Sequence, residues 1–404
     1  MMLLGCGAKN RDSASAREDE AKQMHSSQLD RQIDYDRQQE AGKIKILVLG
    51  AAESGKSTIM KQMRLLYGYP LSDDETSMYI AAVRSNIVIA IKKLCILLRK
   101  LGLEEALAAE SAFSNGTGVM TPKTAYEEVT KGIVNKRGGL VLDNRGSFVV
   151  DEVSKGNNQY REVYAGSSRF LEHVEAIRVL WESNTMKDVW LKRATVNVID
   201  SHREFLQDLN RIASEDYIPT PYDVLVTRLR TKHAVMERYC VDGIDYEMTD
   251  VGGQRADRGK WIHFFDNQDA VIFVAALSEY DQTLTESRHV NRMVEALQLF
   301  RSICKNRAFA NTTILLFLNK RDIFAEKVMY SNIRDQPAFR DYRGRPQNFD
   351  DGVQYFKTKF LECINPNHRF VHITCAIDSN NMEFVMSSTQ KSIMEDNLKR
   401  AGVS

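Results

Sequence analysis

Short apolar runs alternate with helical patterns along the second half of the chain. Residues 238 to 241 and 244 to 248 flank Asp242-Gly243, a dipeptide typical of a two-residue hairpin turn. Further runs are apolar enough to form buried strands, and they cover residues 44 to 49, 270 to 277, 313 to 318 and 370 to 373. Helical spacing separates the later runs, for example through Met293, Leu297 and Phe300. This alternation predicts a mostly parallel sheet and places the chain in the α/β class.

A long helical region interrupts this alternation after the first strand. Residues 59 to 67 form a predicted helix, which Gly68-Tyr69-Pro70 ends. An amphipathic helix follows, with apolar residues three or four apart at Ile80, Val83, Ile87, Ile91, Leu94 and Leu98. Helical spacing returns between residues 160 and 212. We therefore expect a helical insert within the sheet domain.

Two segments lie outside this pattern. Residues 111 to 159 are rich in Gly and Asn turn signals and predict a partly mobile surface insertion, in which residues 140 to 142 and 148 to 150 could pair as a hairpin. Residues 9 to 43 are almost entirely polar and charged. Their few aliphatic residues suffice for the thin stripe of a long exposed helix, and a disordered arm is the open alternative.

Composition narrows the class of protein. A chain of 404 residues exceeds one compact core and predicts two domains with appendages. The net charge is only +1, which excludes a nucleic-acid partner recruited by bulk charge. The 6 cysteines contain no CxxC pair and indicate reduced thiols in a cytosolic protein. No apolar run reaches membrane-spanning length, so we expect any membrane contact to be peripheral.

The first strand leads into a phosphate-binding loop. Gly50 and Gly55 stand five apart and are followed by Lys56 and Ser57, which is the spacing of that motif. A loop between a strand and a helix directs backbone N–H groups and the positive end of the helix dipole at a phosphate. Lys56 would neutralise the outer phosphates, and the Ser57 hydroxyl would bind Mg²⁺. The sequence therefore predicts a nucleotide-binding protein.

Three further motifs follow predicted strands, where ligands bind in open α/β sheets. In Asp250-Val251-Gly252-Gly253-Gln254, the carboxylate can hold Mg²⁺ through water, the Gly253 N–H can reach the terminal phosphate, and Gln254 can orient an attacking water. In Asn319-Lys320-Arg321-Asp322, the Asp322 carboxylate can accept two N–H bonds from guanine, which adenine cannot offer. The Thr374-Cys375-Ala376 backbone would complete the base pocket.

Together with the stretch from Asp223 to Thr231, these motifs make the chain resemble the α subunits of heterotrimeric G proteins. The resemblance covers nearly the whole chain outside residues 111 to 159. It implies a Ras-like P-loop GTPase domain (residues 43 to 68 and 222 to 404) with an inserted all-helical domain (residues 69 to 221). Residues 1 to 42 would form the N-terminal helix or arm.

The resemblance also assigns roles to single residues. Arg228 would be the arginine finger supplied in cis, and Gln254 would orient the water. Thr231 would be the second Mg²⁺ ligand beside Ser57. The nucleotide GTP or GDP would be bound by Glu53, Ser54, Gly55, Lys56, Ser57, Thr58, Asp200, Ser201, Leu225, Val226, Arg228, Thr231, Asp250, Gly253, Gln254, Asn319, Lys320, Asp322, Cys375 and Ala376.

Partners follow from the same resemblance. A βγ dimer would bind the N-terminal helix and residues 255 to 265, and a seven-transmembrane receptor would contact the C-terminal helix and tail. The helix stripe of Val385, Ile393, Met394 and Leu398 serves either that contact or core packing. Downstream effectors and GTPase-accelerating proteins are also implied. The protein would lie peripherally on the cytoplasmic face of the plasma membrane and partly in the cytosol.

The chain departs from the family pattern at several positions. Ala52 replaces the usual Gly of the phosphate loop beside Gln254 and Arg228, which leads us to expect slow hydrolysis. Lys232-His233-Ala234 replaces the usual Thr-Gly-Ile. Because Gly5 is not at position 2, myristoylation is not expected, and Cys6 is left as the candidate palmitoylation site.

Two other functions compete with a GTP-hydrolysing switch. A guanine-nucleotide-binding adaptor with negligible turnover would signal only which nucleotide is bound, and intact Arg228, Gln254 and Thr231 disfavour it. An ATP-dependent P-loop kinase is disfavoured by Asn319-Lys320-Arg321-Asp322 and by the lack of a second substrate motif.

The base preference is testable at Asp322. Asp322→Asn replaces an acceptor with a group that cannot pair with both guanine donors, whereas xanthine presents a carbonyl there. We expect weaker binding of GTP and tighter binding of xanthosine triphosphate, measured as equilibrium affinities for both nucleotides. A variant that binds GTP as tightly as the parent would contradict this account of the base pocket.

Overall fold

The structure is a computed structural model that describes residues 43–111, 113–114, 119–130, 149–150, 159–196, 198, 202–231, 234–284, 287, 289–363 and 370–400. The predicted N-terminal helix with Cys6, most of the predicted surface insertion, and the candidate site residues Asp200 and Ser201 lie outside these ranges. Among the described helices, none combines the length and apolar character that crossing a bilayer requires.

A six-stranded sheet forms the centre of the sheet domain. Its strands, in chain order, are β1 (Ile44–Gly50), β2 (Val235–Val241), β3 (Ile244–Asp250), β4 (Ala270–Ala276), β5 (Thr313–Asn319) and β6 (Phe370–Ile373). The spatial order is β6-β5-β4-β1-β3-β2, and only β2 runs antiparallel to its neighbour. Val241 pairs with Ile244 across Asp242-Gly243, as the hairpin signal predicts. The predicted α/β fold with a mostly parallel sheet is confirmed.

Thirteen helices surround or extend this sheet among the described residues. In chain order they are α1 (Lys56–Tyr67), α2 (Asp73–Lys100), α3 (Glu104–Ala109), α4 (Pro122–Thr130), α5 (Gln159–Glu182), α6 (Asn184–Leu191), α7 (His202–Gln207), α8 (Leu209–Ala213), α9 (Pro221–Val226), α10 (Arg292–Cys304), α11 (Arg321–Lys327), α12 (Phe349–Leu361) and α13 (Ser379–Arg400). We call α2 to α8 the helical insert.

The two faces of the sheet carry separate hydrophobic cores because side chains alternate along each strand. Leu47 and Leu49 of β1 pack with α10 and α12 on one face. Ile46 and Val48 pack with α1 and α13 on the other. Within α13, Val385 and Ile393 belong to that second core, so these two positions of the predicted receptor stripe are core residues.

The helical insert has its own core, built mainly by α2 and α5. Ser72 and Glu75 form a capping box at the start of α2, and their bonds satisfy backbone N–H groups of its first turn. The predicted apolar stripe from Val83 to Leu98 faces this core. The insert is thus a helical body packed around its own apolar interior.

Short elements complete the description. Two-residue strands pair Phe113–Ser114 with Val119–Met120 in antiparallel fashion, and Val149–Val150 with Arg230–Thr231 in parallel. The second pairing differs from the predicted hairpin of residues 140 to 142 and 148 to 150, whose first strand lies outside the described residues. The 3₁₀ helices are Arg193–Val196, Arg255–Phe264, Leu277–Glu279, Arg307–Phe309, Ile333–Asp335 and Pro337–Phe339.

The return from the helical insert to the sheet domain is fixed by Asp223. Its carboxylate, 1% exposed, accepts two bonds from Arg211, at 2.7 and 3.0 Å. It also accepts from the Tyr217 hydroxyl at 3.1 Å and from the Thr220 N–H at 2.8 Å, as part of the capping box of α9. Burial opposes ionisation, but these donors hold the pKa of Asp223 below its ordinary value. The connection from the helical insert to the sheet domain therefore depends on a buried, ionised carboxylate.

Asp223→Asn should destabilise the protein. The loss at pH 7 is about 2 kcal/mol, typical of hydrogen bonds to a charged group. Because the pKa of Asp223 is lowered by folding, its contribution is complete above the ordinary carboxyl pKa and disappears as the pH falls through the folded value. The difference between parent and variant should therefore shrink below pH ~4. Urea unfolding with saturating GDP at several pH values measures it.

Asp208→Asn provides the matched control. Asp208 also pairs with Arg211, at 2.5 Å, but its side chain is 48% exposed. We expect a loss below about 1 kcal/mol for this solvated pair. Equal losses in the two variants would show that burial of Asp223 is not what matters.

Candidate functional site

A cavity of about 400 Å³ lies at the carboxyl ends of the strands, between the sheet domain and the helical insert. Most of the residues predicted to bind nucleotide line it, namely Glu53, Gly55, Lys56, Ser57, Thr58, Leu225, Val226, Arg228, Gly253, Gln254, Asn319, Lys320, Asp322 and Ala376. Ser54, Asp250 and Cys375 are buried. The sequence motifs, spread over more than 300 residues of chain, thus meet in one cavity.

The phosphate loop connects β1 to α1 in a tight turn. Gly55 takes φ 105° immediately before α1, and a Cβ there would lie 2.2 Å from Asn319 Nδ2. Lys56 folds back over the loop and donates to the Gly50 and Ala51 carbonyls at 3.1 and 2.9 Å. Burial lowers the pKa of Lys56, and the nearby Asp250 carboxylate opposes that shift. The start of α1 and the Lys56 ammonium together suit an anionic ligand.

Ala52 lines the cavity in the same loop. Within this turn the left-handed backbone conformation belongs to the next residue, Glu53, at φ 66°, and not to Ala52. The φ angle at this position therefore does not require glycine. The methyl group adds volume to the wall of a cavity that Gln254 and Arg228 also line.

The Ser57 hydroxyl at the start of α1 forms a hydrogen bond with the Asp250 carboxylate at the end of β3. Ser57 Oγ donates to Asp250 Oδ2 at 2.6 Å, and Asp250 is 1% exposed. Both groups offer hard oxygen ligands of the kind that Mg²⁺ prefers. Thr231, the third predicted ligand, lies in the short Arg230–Thr231 strand, and its side chain is outside the described structure.

Glu53 joins two arginines at the rim of the loop. Its carboxylate oxygens lie 2.6 Å from Arg228 Nη2 and 2.8 Å from Arg292 Nη1. Burial alone raises the pKa of Glu53, but the two guanidinium groups outweigh it and hold that pKa well below its usual range. Arg292 also contacts Glu279, at 3.4 Å. The network keeps Glu53 ionised and pairs the Arg228 guanidinium with its carboxylate.

Gly253 packs directly against the phosphate loop. A Cβ there would lie 2.8 Å from the Ala51 carbonyl atoms and 2.4 Å from Lys56 Nζ, so only glycine fits. Its carbonyl accepts from Arg258 Nε at 3.2 Å, and Arg258 pairs with Glu295 at 2.6 Å. Gln254 follows and lines the cavity. This brings the candidate water-orienting side chain next to the loop that holds the phosphates.

Asn319 links three segments at the base end of the cavity. Its Nδ2 donates to Ser54 O at 3.0 Å, and its Oδ1 accepts from the Ala376 N–H at 3.1 Å and from Thr374 Oγ1 at 3.2 Å. The sequence predicted a contact between this amide and the purine; the structure adds a bridge between the phosphate loop and the base pocket. Burial and the Asp322 carboxylate raise the pKa of Cys375 to about 12, which keeps that thiol protonated.

Lys61 is a site residue that the motifs did not identify. It lies one helical turn after Ser57 and lines the cavity. Its ammonium donates to the Val224 and Thr227 carbonyls at 2.9 and 2.8 Å. Burial lowers the pKa of Lys61 to about 7, although the Asp250 carboxylate opposes the shift. Its i, i+4 position relative to Ser57 was the available sequence signal.

The helical insert closes the cavity with residues that lie outside any motif. Arg193, 3% exposed, donates to the Tyr330 hydroxyl of the sheet domain at 3.1 Å. Arg203 lies 3.3 Å from Glu326, with both side chains about half exposed. Thr227, Leu229 and Val251 also line the cavity from within the motif stretches, where they were given no role. The remaining cavity residues that sequence reasoning missed are Trp190, Val198, Glu204, Tyr222, Gln282, Ile323 and Ile377. No sequence signal distinguishes them from ordinary helix and loop positions.

The sequence matches the family model described as "G-protein alpha subunit" over residues 23–393. It is 34% identical over 396 residues to proteins named guanine nucleotide-binding protein alpha-17 subunit from Caenorhabditis elegans and Caenorhabditis briggsae, covering 97% of this chain and 99% of each relative. It is 33% identical over 389 residues to the alpha-3 subunit of Caenorhabditis elegans, covering 96% of this chain and 98% of that protein.

Proposed function

Because the chain belongs to the G-protein α-subunit family and is a guanine-nucleotide-binding signalling protein, we propose that it is a switch that hydrolyses GTP to GDP. One observation supports hydrolysis above all: Arg228 and Gln254 line the same cavity as Lys56 and Ser57. A cation and a water-orienting amide beside a phosphate loop are the groups that phosphoryl transfer to water needs.

The residues present also fit Mg²⁺ as the accompanying cation. Ser57 Oγ and Asp250 Oδ2 lie 2.6 Å apart beside Lys56, and both are oxygen ligands suited to a small hard ion. Ser57 would hold the ion directly, Asp250 through water, and Thr231 would be the further ligand. When bound, Mg²⁺ neutralises part of the phosphate charge.

Each residue of the site would then have a separate role in hydrolysis. Lys56 and the N–H groups at the start of α1 bind the phosphates. Gln254 orients the attacking water, and Gly253 keeps that segment against the loop. Arg228 exchanges Glu53 for the γ-phosphoryl oxygens, where negative charge develops. Burial behind the helical insert excludes bulk water and strengthens each of these interactions.

The adaptor with negligible turnover is the second candidate, and two observations favour it. Arg228 already has a close anionic partner in Glu53, at 2.6 Å, so its use in hydrolysis requires that ion pair to open. Ala52 adds a methyl group to the wall of the cavity that Gln254 also lines, which would reduce the space for the attacking water. Both features slow hydrolysis without weakening ground-state binding.

Family membership also motivates proposals about partners and location. A βγ dimer would bind the N-terminal helix and residues 255 to 265, which include the 3₁₀ segment Arg255–Phe264, where Ile262 is 66% exposed and Trp261 is buried. Downstream effectors would bind as well. A seven-transmembrane receptor would act on α13, on which Met394 is 42% exposed. GTPase-accelerating proteins would assist hydrolysis. The protein would lie peripherally on the cytoplasmic face of the plasma membrane and partly in the cytosol, with Cys6 as a palmitoylation site.

Single-turnover hydrolysis by purified, GTP-loaded protein tests the proposed activity. Removing one group that stabilises transition-state charge typically slows a reaction by about 100-fold. We expect a loss of that order in phosphate release for Arg228→Ala and for Gln254→Ala, with little change in the affinity for a non-hydrolysable GTP analogue. A parent protein no faster than these variants would establish the adaptor instead.

Ala52→Gly should hydrolyse GTP several-fold faster than the parent in a single turnover, at unchanged GTP affinity. The backbone N–H groups that bind the triphosphate are the same in both proteins, and only the space around the attacking water differs. Equal rates would mean that the methyl group is accommodated without strain, and Ala52 would then be a neutral loop residue.

A further inference from the structure

The side chain of Asn86 forms a pair of hydrogen bonds with the main chain of Arg228, 142 residues away. The Arg228 N–H donates to Asn86 Oδ1 at 2.9 Å, and Asn86 Nδ2 donates to the Arg228 carbonyl at 3.2 Å. Nδ2 also donates to the Ala82 carbonyl at 2.7 Å. Asn86 is 3% exposed. Two carbonyls and one N–H surround the amide, which fixes its orientation.

This contact joins the helical insert to the hydrolytic segment. Asn86 lies on α2, the helix that carries much of the insert's core, whereas Arg228 lies just beyond the end of α9. From the sheet domain, Lys61 holds the carbonyl of the preceding residue, Thr227, at 2.8 Å. The peptide groups at Arg228 are thus anchored from both sides of the cavity.

The hydrogen bonds from Asn86 and Lys61 to this segment do not involve the side chain of Arg228. Both hydrogen bonds between Asn86 and Arg228 involve main-chain atoms of Arg228, while the guanidinium pairs with Glu53. The guanidinium can therefore leave Glu53 for a phosphate while the backbone stays in place. A fixed backbone limits the positions that the flexible arginine side chain samples. Small errors in the position of a catalytic group lower the reaction rate.

We propose that Asn86 is a positioning residue for hydrolysis: it holds the Arg228 backbone on the helical insert so that the guanidinium reaches the γ-phosphoryl group. This inference rests on the proposed GTPase function. It makes hydrolysis depend on contact between the insert and the sheet domain, although nucleotide binding by the phosphate loop does not require Asn86.

The test uses the full chain loaded with GTP and Mg²⁺ in single turnover. Asn86→Ala should slow phosphate release about tenfold, with the affinity for a non-hydrolysable analogue changed less than about twofold. Asn86→Ser is a second variant, to be used if Asn86→Ala fails to fold. It leaves room for a water molecule at the Arg228 peptide. Ser85→Ala is the matched control, because Ser85 is a fully buried neighbour on α2 whose hydroxyl has no hydrogen-bond partner among the described residues.

Asn86→Ala in an Arg228→Ala background separates positioning from a general structural role. If Asn86 acts through Arg228, the second substitution adds no further slowing. The inference is overturned by an Asn86→Ala rate equal to that of Ser85→Ala, or by the same loss in both backgrounds. If Arg228→Ala alone leaves the parent rate unchanged, the proposed function fails as well, so the two failures are distinguishable.

Discussion

Close backbone approach around the turn between β1 and α1 is the constraint on which the rest of the site depends. A Cβ at Gly55 would collide with Asn319, and one at Gly253 would collide with the Ala51 carbonyl. The glycines let the base loop and the segment after β3 touch the phosphate loop directly. Asn319 then fixes this arrangement through bonds to Ser54 and Ala376. The phosphate loop and the predicted base loop are therefore held together by direct contacts.

Burial of charge shapes the electrostatics of the same region. Glu53 is compensated by two arginines, whereas Lys56 and Lys61 are buried against backbone carbonyls and share Asp250 as a nearby carboxylate, with Glu279 also close to Lys56. Removing a cation from water is unfavourable unless an anion lies nearby. Burial lowers the pKa of both lysines, and an anionic ligand in the cavity would oppose that shift.

The sequence predicted the parts of this site that local patterns encode. Asp242-Gly243 and the apolar runs identified the strands, and the motifs after those strands identified Lys56, Asp250 and Asp322. Asn86, Arg193 and Arg292 were not identifiable, because each is a single polar residue whose partner is distant in sequence. Such pairs form only when the whole fold is assembled. The sequence also left open whether the apolar stripe of α13 packs in the core or contacts a partner, because an apolar helix stripe fits both. The structure shows that Val385 and Ile393 are buried in the core.

The bonds between the helical insert and the sheet domain at the cavity differ in character from those within the phosphate and base loops. Arg203 and Glu326 are about half exposed, and Arg193 reaches a partly exposed tyrosine hydroxyl. The solvated Arg203–Glu326 pair contributes at most about 1 kcal/mol and weakens with salt, whereas the buried Arg193 donates to a neutral hydroxyl. None of these residues belongs to the phosphate loop, so their substitution weakens the contact between the insert and the sheet domain and leaves that loop unchanged. The strength with which the cavity is closed and the shape of the phosphate loop are therefore set by different residues.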